Sequence, residues 1–257
     1  MKVIKVGIMA FISCAILFSA SISPAQNKKV IRPKKKILFV VTCHNKKGST
    51  GEPTGYYLGE VSHPWEVLKN AGYEIDFVSP KGGKAPVDGF DLNDKVNAEF
   101  WNDKVYHNKI EHTKKPSQIN PADYQAIHFA GGHGAMWDFA DNRAIAAIAS
   151  KIYENGGIIS AVCHGPAGLV NIKLSNGKYL VEGKKVNGFT NEEEVAVKLD
   201  KVVPFLLEDK LKERGAIFEK SGLWQVHVVT DTRLVTGQNP QSAKAVGEAV
   251  LTELKKL

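Results

Sequence analysis

The sequence predicts an α/β domain in which helices cover both faces of a mostly parallel sheet. Short apolar runs alternate with amphipathic helical patterns along most of the chain, and this β-α-β order is typical of parallel sheets. Two of the apolar runs lead directly into turns that are rich in glycine. Because such sheets bind ligands beyond the carboxyl ends of their strands, these two turns are the first candidates for a functional site.

Four buried strands are predicted in the first two thirds of the chain. They comprise residues 36–42, 75–79, 126–130 and 157–162. A helix over residues 60–71 follows the first strand, because Val61, Trp65 and Leu68 share one face of it. A longer helix over residues 136–154 is predicted between the last two strands.

Two polar stretches interrupt this alternation. Residues 84–121 are predicted to be an insertion that forms a small cap over one edge of the sheet, and residues 179–186 a hairpin around a Gly-Lys turn. Residues 226–229 and 234–236 are predicted to be two further strands around a short turn. Asn239-Pro240 then begins a last helix, since Asn is a good cap and Pro suits a first helical turn.

The first 25 residues have the pattern of a secretory signal peptide. Lys2 and Lys5 precede an apolar run over residues 6–20, and Ser23-Pro24-Ala25 offers small residues for cleavage. The run is shorter than the roughly 20 residues that a membrane-spanning helix needs. We therefore expect cleavage after Ala25 and a periplasmic or secreted protein that is not held in a membrane.

Residues 26–35 form a basic leader, and residues 36–257 form one domain that no repeat or linker divides. The chain has a formal net charge of +7, and part of this excess lies in the leader. A basic arm can bind nucleic acid or anionic lipid. The rest of the chain does not interleave aromatic and basic residues as a nucleic-acid surface does, so we expect a solvated leader and no nucleic-acid partner.

Two cysteines, Cys43 and Cys163, follow the predicted cleavage site. An exported domain of this size with two cysteines is not a disulfide scaffold. Either the pair forms one bridge or at least one thiol stays free for chemistry. Cys43 ends the first predicted strand, where it can border the site or pair with Cys163, although a packing role is what we expect.

Cys163 has the sequence setting of a nucleophile. It follows a buried strand and precedes His164-Gly165-Pro166-Ala167-Gly168, whose small residues allow a sharp turn from strand to helix. A helix N-terminus beneath the sulfur would favour the thiolate, so we expect a depressed thiol pKa. His164, next in the chain, is the candidate base.

A second glycine-rich turn, Gly131-Gly132-His133-Gly134, follows the third predicted strand. Its backbone amides could stabilise an oxyanion at the same edge of the sheet. Glu60 begins the first helix above that edge. From the residues alone, Glu60 is equally well explained as a site carboxylate or as an acid that the helix dipole stabilises.

Several short motifs in this order resemble the ThiJ/PfpI superfamily, with the class I glutamine amidotransferase-like fold, and match best its branch of heat-shock chaperones and glutathione-independent glyoxalases. The resemblance extends from about Lys36 to the C-terminus, and the Cys-His-Gly-Pro and Gly-Gly-His-Gly elements are its specific parts. The motifs are residues 55–60, Asp76-Phe77-Val78-Ser79-Pro80, residues 130–138, Ala161-Val162-Cys163-His164-Gly165-Pro166, Gly188-Phe189-Thr190 and residues 236–240.

The resemblance implies a flavodoxin-like three-layer α/β/α sandwich with a nucleophile elbow. It also implies a triad of Cys163, His164 and an acid among Glu192, Glu193 and Glu194. By its spacing the acid is placed at Glu194, with Glu193 next. Glu60 corresponds to the carboxyl group that hydrogen-bonds the nucleophile's sulfur.

The implied activity is that of glyoxalase III, also described as a D-lactate dehydratase, which converts methylglyoxal or glyoxal to a 2-hydroxy acid without glutathione. Cys163 would add to the aldehyde, and His164, oriented by Glu194, would move the proton through an enediol. The amides of Gly132 and His164 would stabilise the oxyanion. The pocket is expected to contain Gly131, Gly132, His133 and Trp137, with an oxoaldehyde as substrate and with no cofactor.

Other functions remain as alternatives. Glutamine amidotransferase chemistry is disfavoured, because it needs a later His followed two residues on by Glu, and His227 is followed by two valines. A cysteine peptidase or amidase, or a holdase chaperone with an exposed apolar patch, stays open. His107, Glu111 and His112 match no strong zinc motif, so no metal site is expected. A second copy of the chain is a further candidate partner, in a homodimer.

Overall fold

The structure is a computed structural model that describes Met1 and residues 35–257. The predicted signal peptide after Met1, and the basic leader up to residue 34, lie outside the described residues. The elements below belong to one compact unit, Lys34–Leu257. The strands found among the described residues are β1 (Lys36–Val40), β2 (Tyr56–Tyr57), β3 (Glu74–Val78), β4 (Val87–Asp88), β5 (Ala126–Phe129), β6 (Ile158–Val162), β7 (Lys185–Val186), β8 (Ile217–Phe218), β9 (Val228–Asp231) and β10 (Leu234–Gly237).

Six of these strands form the central sheet, in the order β3-β1-β5-β6-β10-β9. All neighbouring pairs are parallel except β10 and β9, which run antiparallel. Every residue of β5, β6 and β10 is buried, as is typical of parallel strands that helices cover on both faces. The mostly parallel α/β sandwich that the sequence predicts is therefore confirmed.

Helices cover this sheet and its edge. In the described part of the chain they are α1 (Leu58–Asn70), α2 (Lys95–Asn102), α3 (Lys104–Glu111), α4 (Ala135–Asp138), α5 (Arg143–Glu154), α6 (Asn191–Ala196), α7 (Leu207–Glu213) and α8 (Ala243–Leu254). Helix α8 packs on α1, β6 and β10, whereas α5 packs on β5 and β6. Within the predicted insertion, α2 packs on α1 and α3 packs on β3, so the insertion covers the β3 edge of the sheet. No helix in the described residues is long and apolar enough to cross a membrane.

Two local predictions are wrong. The predicted helix over residues 136–154 is broken into α4 and α5, because the Asn142 side chain accepts from Ile145 N–H at 3.0 Å and starts a new helix there. The predicted hairpin over residues 179–186 does not form. Most of that segment is turn, and β7 at its end pairs in parallel with β8, far along the chain.

A third difference concerns the turn after β6. Gly165–Gly168 form a 3-10 helix of 4 residues rather than the start of an α-helix. Such a short segment has few aligned peptide dipoles, so it offers little of the electrostatic support that the sequence had suggested for a thiolate.

Candidate active site

Cys163 lies in a strained elbow directly after β6. Its φ is 58°, in the left-handed region that side chains other than glycine rarely adopt. The Cys163 N–H donates to Gly237 O at 2.9 Å, and the Cys163 carbonyl accepts from Phe189 N–H at 2.8 Å. A Cβ at Gly165 would collide with the Phe129 carbonyl. The elbow therefore requires glycine there, and its bonds to two neighbouring segments hold the sulfur at the carboxyl edge of the sheet.

His164 and Glu194 continue a hydrogen-bonded row from the Cys163 sulfur. Nδ1 of His164 lies 3.3 Å from Sγ of Cys163, and Nε2 lies 2.9 Å from Oε2 of Glu194. A carboxylate can only accept, so Nε2 carries the hydrogen and Nδ1 presents its lone pair to the thiol. All three side chains are buried. The arrangement can therefore take a proton from the thiol.

A second histidine binds the same carboxylate. Nε2 of His133 donates to Oε1 of Glu194 at 3.0 Å, and the rings of His133 and His164 lie 4.1 Å apart. Burial by itself would raise the pKa of Glu194, but the charge of His164 and the hydrogen bonds from both histidines lower it to about 2. Burial and the nearby His133 lower the pKa of His164. At neutral pH the pair is therefore an anionic carboxylate that holds a neutral base.

The structure brings Glu194, and not its two neighbours, to the histidines. Glu193 is also buried, but it points to Thr190 N–H and Oγ1 through Oε2, both at 3.0 Å. Glu192 lies at the surface, 2.9 Å from Nζ of Lys220. The three consecutive glutamates of α6 therefore point in different directions and bind different partners.

Glu60 lies beside the thiol, as the resemblance implies. Its Oε2 accepts from Gly131 N–H at 2.7 Å, and its side chain is fully buried. Burial raises the pKa of Glu60 to about 8, and the charge of Asp88 adds to this effect, although bonds from Cys163 and Gly131 oppose it. Glu60 is therefore protonated at neutral pH.

The expected depression of the thiol pKa is wrong. Burial of the sulfur and the adjacent Glu60 carboxyl raise the pKa of Cys163 well above its ordinary value, although Gly132 N–H partly opposes this. The 3-10 turn after the elbow does not compensate. The resting nucleophile is consequently a thiol, which makes the neighbouring His164 base essential for its activation.

The predicted oxyanion turn is present, but not all of its backbone amides are free to bind a substrate. Gly131 N–H is engaged by Glu60 and cannot donate to a substrate. Gly132 N–H faces the Cys163 sulfur. In the described backbone we find no acceptor for Gly132 N–H or His164 N–H. These two amides are therefore the donors that remain for an oxyanion, and the assignment of Gly131 to the pocket is wrong.

A cavity of about 300 Å³ opens above Cys163. It is lined by Lys47, Glu52, Tyr57, Asp88, Gly132, His133, Cys163, His164, Phe189, Val197, Leu199, Trp224, Pro240 and Gln241. Trp137 is not in this lining. Its ring stacks on His44 at 5.0 Å between the centroids, so its assignment to the pocket is also wrong.

Most of the apolar lining was missed from the sequence. Phe189 was quoted only as part of a motif, and Val197, Leu199 and Trp224 gave no signal at all. They come from segments that meet only in the folded chain. The bond between His133 and Glu194 likewise joins residues 61 positions apart.

Cys43 does not line this cavity. Both described cysteines are free thiols, which rules out the bridge between them in this structure. Cys43 packs instead with its sulfur 3.1 Å from Ser79 Oγ. In the described residues, the group of side chains close enough to share a metal ion is His133, His164 and Glu194, within 4.8 Å of one another. Both histidines already turn a nitrogen to the carboxylate there.

Comparisons with known proteins agree with this geometry. A model of the DJ-1/PfpI family matches residues 54–253. The glutathione-independent glyoxalase HSP31 of Saccharomyces cerevisiae is 35% identical over 87% of this chain and 99% of its own length. Glyoxalase 3 of Candida albicans is 33% identical over 84% of this chain and 97% of its own length.

Solved structures are similar over the same part of the chain. The crystal structure of glyoxalase III from Candida albicans has a TM-score of 0.79 and 32% identity, and it covers 86% of this chain and 98% of its own. The Rapid Encystment Protein of 24 kDa from Francisella tularensis has a TM-score of 0.83 and 40% identity, with coverage of 86% and 99%.

Proposed function

The chain belongs to the DJ-1/PfpI family, and from this premise we propose that it is a glutathione-independent glyoxalase acting on methylglyoxal or glyoxal. The observation that carries the proposal is the buried row from Cys163 through His164 to Glu194 at the base of an open cavity. Relatives that this chain matches over nearly their whole length are named as glyoxalases. The protein's own thiol takes the place of glutathione.

The first step is addition of the thiol to the aldehyde. As the S–C1 bond forms, the Cys163 proton passes to Nδ1 of His164, and the carbonyl π electrons move to the oxygen. The amides of Gly132 and His164 donate to that oxyanion. Glu194 stabilises the imidazolium that forms, because its low pKa keeps it anionic. Return of the proton to the oxygen gives a neutral hemithioacetal.

The second step moves hydrogen between the two carbons. His164 removes the C1 proton, the electron pair forms the C1–C2 double bond, and the C2 carbonyl oxygen takes that proton from His164 to give an enediol. Protonation at C2, with loss of the C1 hydroxyl proton, leaves a thioester on Cys163. C1 is thereby oxidised and C2 reduced, so no external oxidant or reductant is needed.

The third step is hydrolysis. His164 takes a proton from water as the water attacks the thioester carbonyl, the C1–S bond breaks, and the sulfur receives that proton from His164. The net reaction adds one water to methylglyoxal and releases lactate. Throughout, the second hydrogen bond on Glu194, from His133, keeps the carboxylate in one orientation.

The decisive experiment is incubation of the purified protein with methylglyoxal in the absence of glutathione, with lactate as the readout. We expect turnover in the wild type, none in Cys163→Ala, and near-normal turnover in Cys43→Ala, which removes the other described thiol. Lactate formation that survives in Cys163→Ala, or is absent from the wild type, would contradict the proposal.

The holdase alternative is tested on the same variants. Large apolar side chains are exposed among the described residues, including Val195, Leu223 and Val226. A holdase works through such surface and does not need the thiol. Suppression of the aggregation of a heated client protein that is intact in Cys163→Ala, together with no turnover in the wild type, would favour the chaperone.

Export is a further part of the proposal. It is supported by Lys2, Lys5 and the apolar run over residues 6–20. The protein taken from its native cell should begin at or near Gln26. Intact-mass measurement gives the answer directly, and a mass that retains Met1 would refute export by this signal.

A further inference from the structure

We infer that the site is built for 2-oxoaldehydes with a bulky apolar substituent, preferably an aromatic one, rather than for methylglyoxal alone. The inference rests on the proposed function for the reaction itself. Its starting observation is size. A cavity of about 300 Å³ is at the lower end of those that hold drug-sized ligands. Methylglyoxal is far smaller, so it leaves most of that volume empty.

The spare volume has an apolar wall. Phe189, Val197, Leu199 and Trp224 line the cavity. The Phe189 ring lies 4.3 Å from the His164 ring and 5.7 Å from the Trp224 ring. The wall therefore starts at the catalytic base and continues outward to Trp224. A substituent on C2 of a substrate bound to Cys163 has this aromatic surface within reach.

Trp224 is held in place at an energetic cost. Its φ is 59°, in the left-handed region that a bulky residue rarely adopts. Its backbone N–H donates to Oε1 of Glu193 at 3.1 Å, and the same oxygen accepts from the side-chain amides of Gln238 at 3.0 Å and of Asn239 at 2.8 Å. A buried carboxylate thus fastens a strained aromatic residue. Strain of this kind is concentrated at ligand sites.

The exposure of Trp224 fits the same role. Trp224 is 38% exposed although it lines the cavity and its ring contacts Phe189. A large apolar surface left open at a cavity is available for an apolar ligand group. The charged lining disfavours an anionic substituent, because Lys47 is paired with Glu52 at 3.7 Å and Asp88 adds a further carboxylate. A neutral apolar substituent on the substrate fits both the exposed surface of Trp224 and the charged lining.

The first experiment compares kcat/KM for phenylglyoxal, with mandelate as product, and for methylglyoxal, with lactate as product. Burial of a phenyl ring against this wall should favour phenylglyoxal by about tenfold or more in the wild type. Trp224→Ala should lower the phenylglyoxal to methylglyoxal ratio by about tenfold, and Trp224→Phe should restore most of it. The variants contain the same arginines, so phenylglyoxal modifies them equally.

Leu223→Ala is the matched control, because Leu223 is an exposed apolar neighbour that does not line the cavity. It should leave the ratio unchanged. Equal loss of both activities in Trp224→Ala, or no loss of either, would overturn the inference while the glyoxalase proposal stands.

The second experiment needs no turnover. Two ketols that lack the aldehyde, 2-hydroxyacetophenone and hydroxyacetone, are tested for protection of Cys163 against iodoacetamide. The aromatic ketol should protect at roughly tenfold lower concentration in the wild type, and this advantage should disappear in Trp224→Ala. If this pattern holds but no oxoaldehyde is turned over, the glyoxalase proposal fails and the inferred ligand class stands. Equal protection by the two ketols in the wild type refutes the inferred class.

Discussion

Replacement of Glu60 by Gln should remove a pH dependence from the stability of the protein. Folding raises the pKa of Glu60 from 4.5 to about 8 through burial. A carboxyl whose pKa is raised in the folded state binds its proton more tightly there than in the unfolded chain. Its contribution to stability is therefore present in full below about pH 4.5 and is lost as the pH rises towards 8.

The magnitude follows from the size of that shift. Each pKa unit corresponds to about 1.4 kcal/mol, so the complete titration of Glu60 lowers the free energy of unfolding by roughly 5 kcal/mol. About 2 kcal/mol of this loss falls between pH 6.5 and 9. The other titrating groups are present in both proteins, so the difference between the wild type and Glu60→Gln reports the titration of Glu60.

Gln keeps the shape of the protonated acid. Its amide oxygen can accept from Gly131 N–H as Oε2 of Glu60 does at 2.7 Å. The assay is urea unfolding of both proteins at several pH values from 6.5 to 9, with linear extrapolation to water. Glu60→Gln should become more stable relative to the wild type by about 2 kcal/mol across the window. Exposed Glu248→Gln is the control and should show no such trend.

A pH-independent difference between wild type and Glu60→Gln would refute the reasoning, since it would mean that Glu60 titrates alike in the folded and unfolded chains.

Three other changes test the site. Glu194→Gln should lower kcat/KM for methylglyoxal by roughly 10²–10⁴-fold, because its amide can donate to the catalytic imidazole and favour the wrong tautomer; a loss of less than threefold would argue against an orienting carboxylate. Gly131→Ala should cost about 2–4 kcal/mol in urea unfolding, because its Cβ would lie 2.6 Å from each of two oxygen atoms. Gly51→Ala, with open space around it and φ of 73°, should cost only about 1 kcal/mol, and equal costs at the two positions would contradict the steric argument. His133→Ala removes a neighbour that lowers the pKa of His164, so the acid limb of the pH–rate profile should move to higher pH; a limb that stays in place would mean that His133 does not act on the catalytic base.

Local patterns were enough to predict the sheet and the elbow. A run such as Ile158–Val162 is apolar throughout because both faces of the strand are covered. The small residues after Cys163 are required by close approaches, as at Gly165. Both features are encoded by residues adjacent in the chain. They could therefore be predicted without knowledge of the fold.

The failed predictions depend on contacts between distant segments. The pKa of Cys163 was expected to be low from the turn alone, but burial and Glu60, which is 103 positions away in the chain, raise it. The predicted hairpin over residues 179–186 gave way to pairing between β7 and β8. In each case the local sequence favours the predicted feature, but a contact between distant segments determines the outcome.

The three glutamates at the start of α6 show why such contacts decide function. In the sequence they are alike, and solvated acids near a helix N-terminus would explain all three. In the fold, Glu194 binds both site histidines, while Glu193 fastens Trp224 through its backbone N–H. One helix turn therefore supports both the proton-transfer row and the apolar wall beside it. A displacement of α6 would therefore move the partner of the site histidines and the partner of Trp224 together.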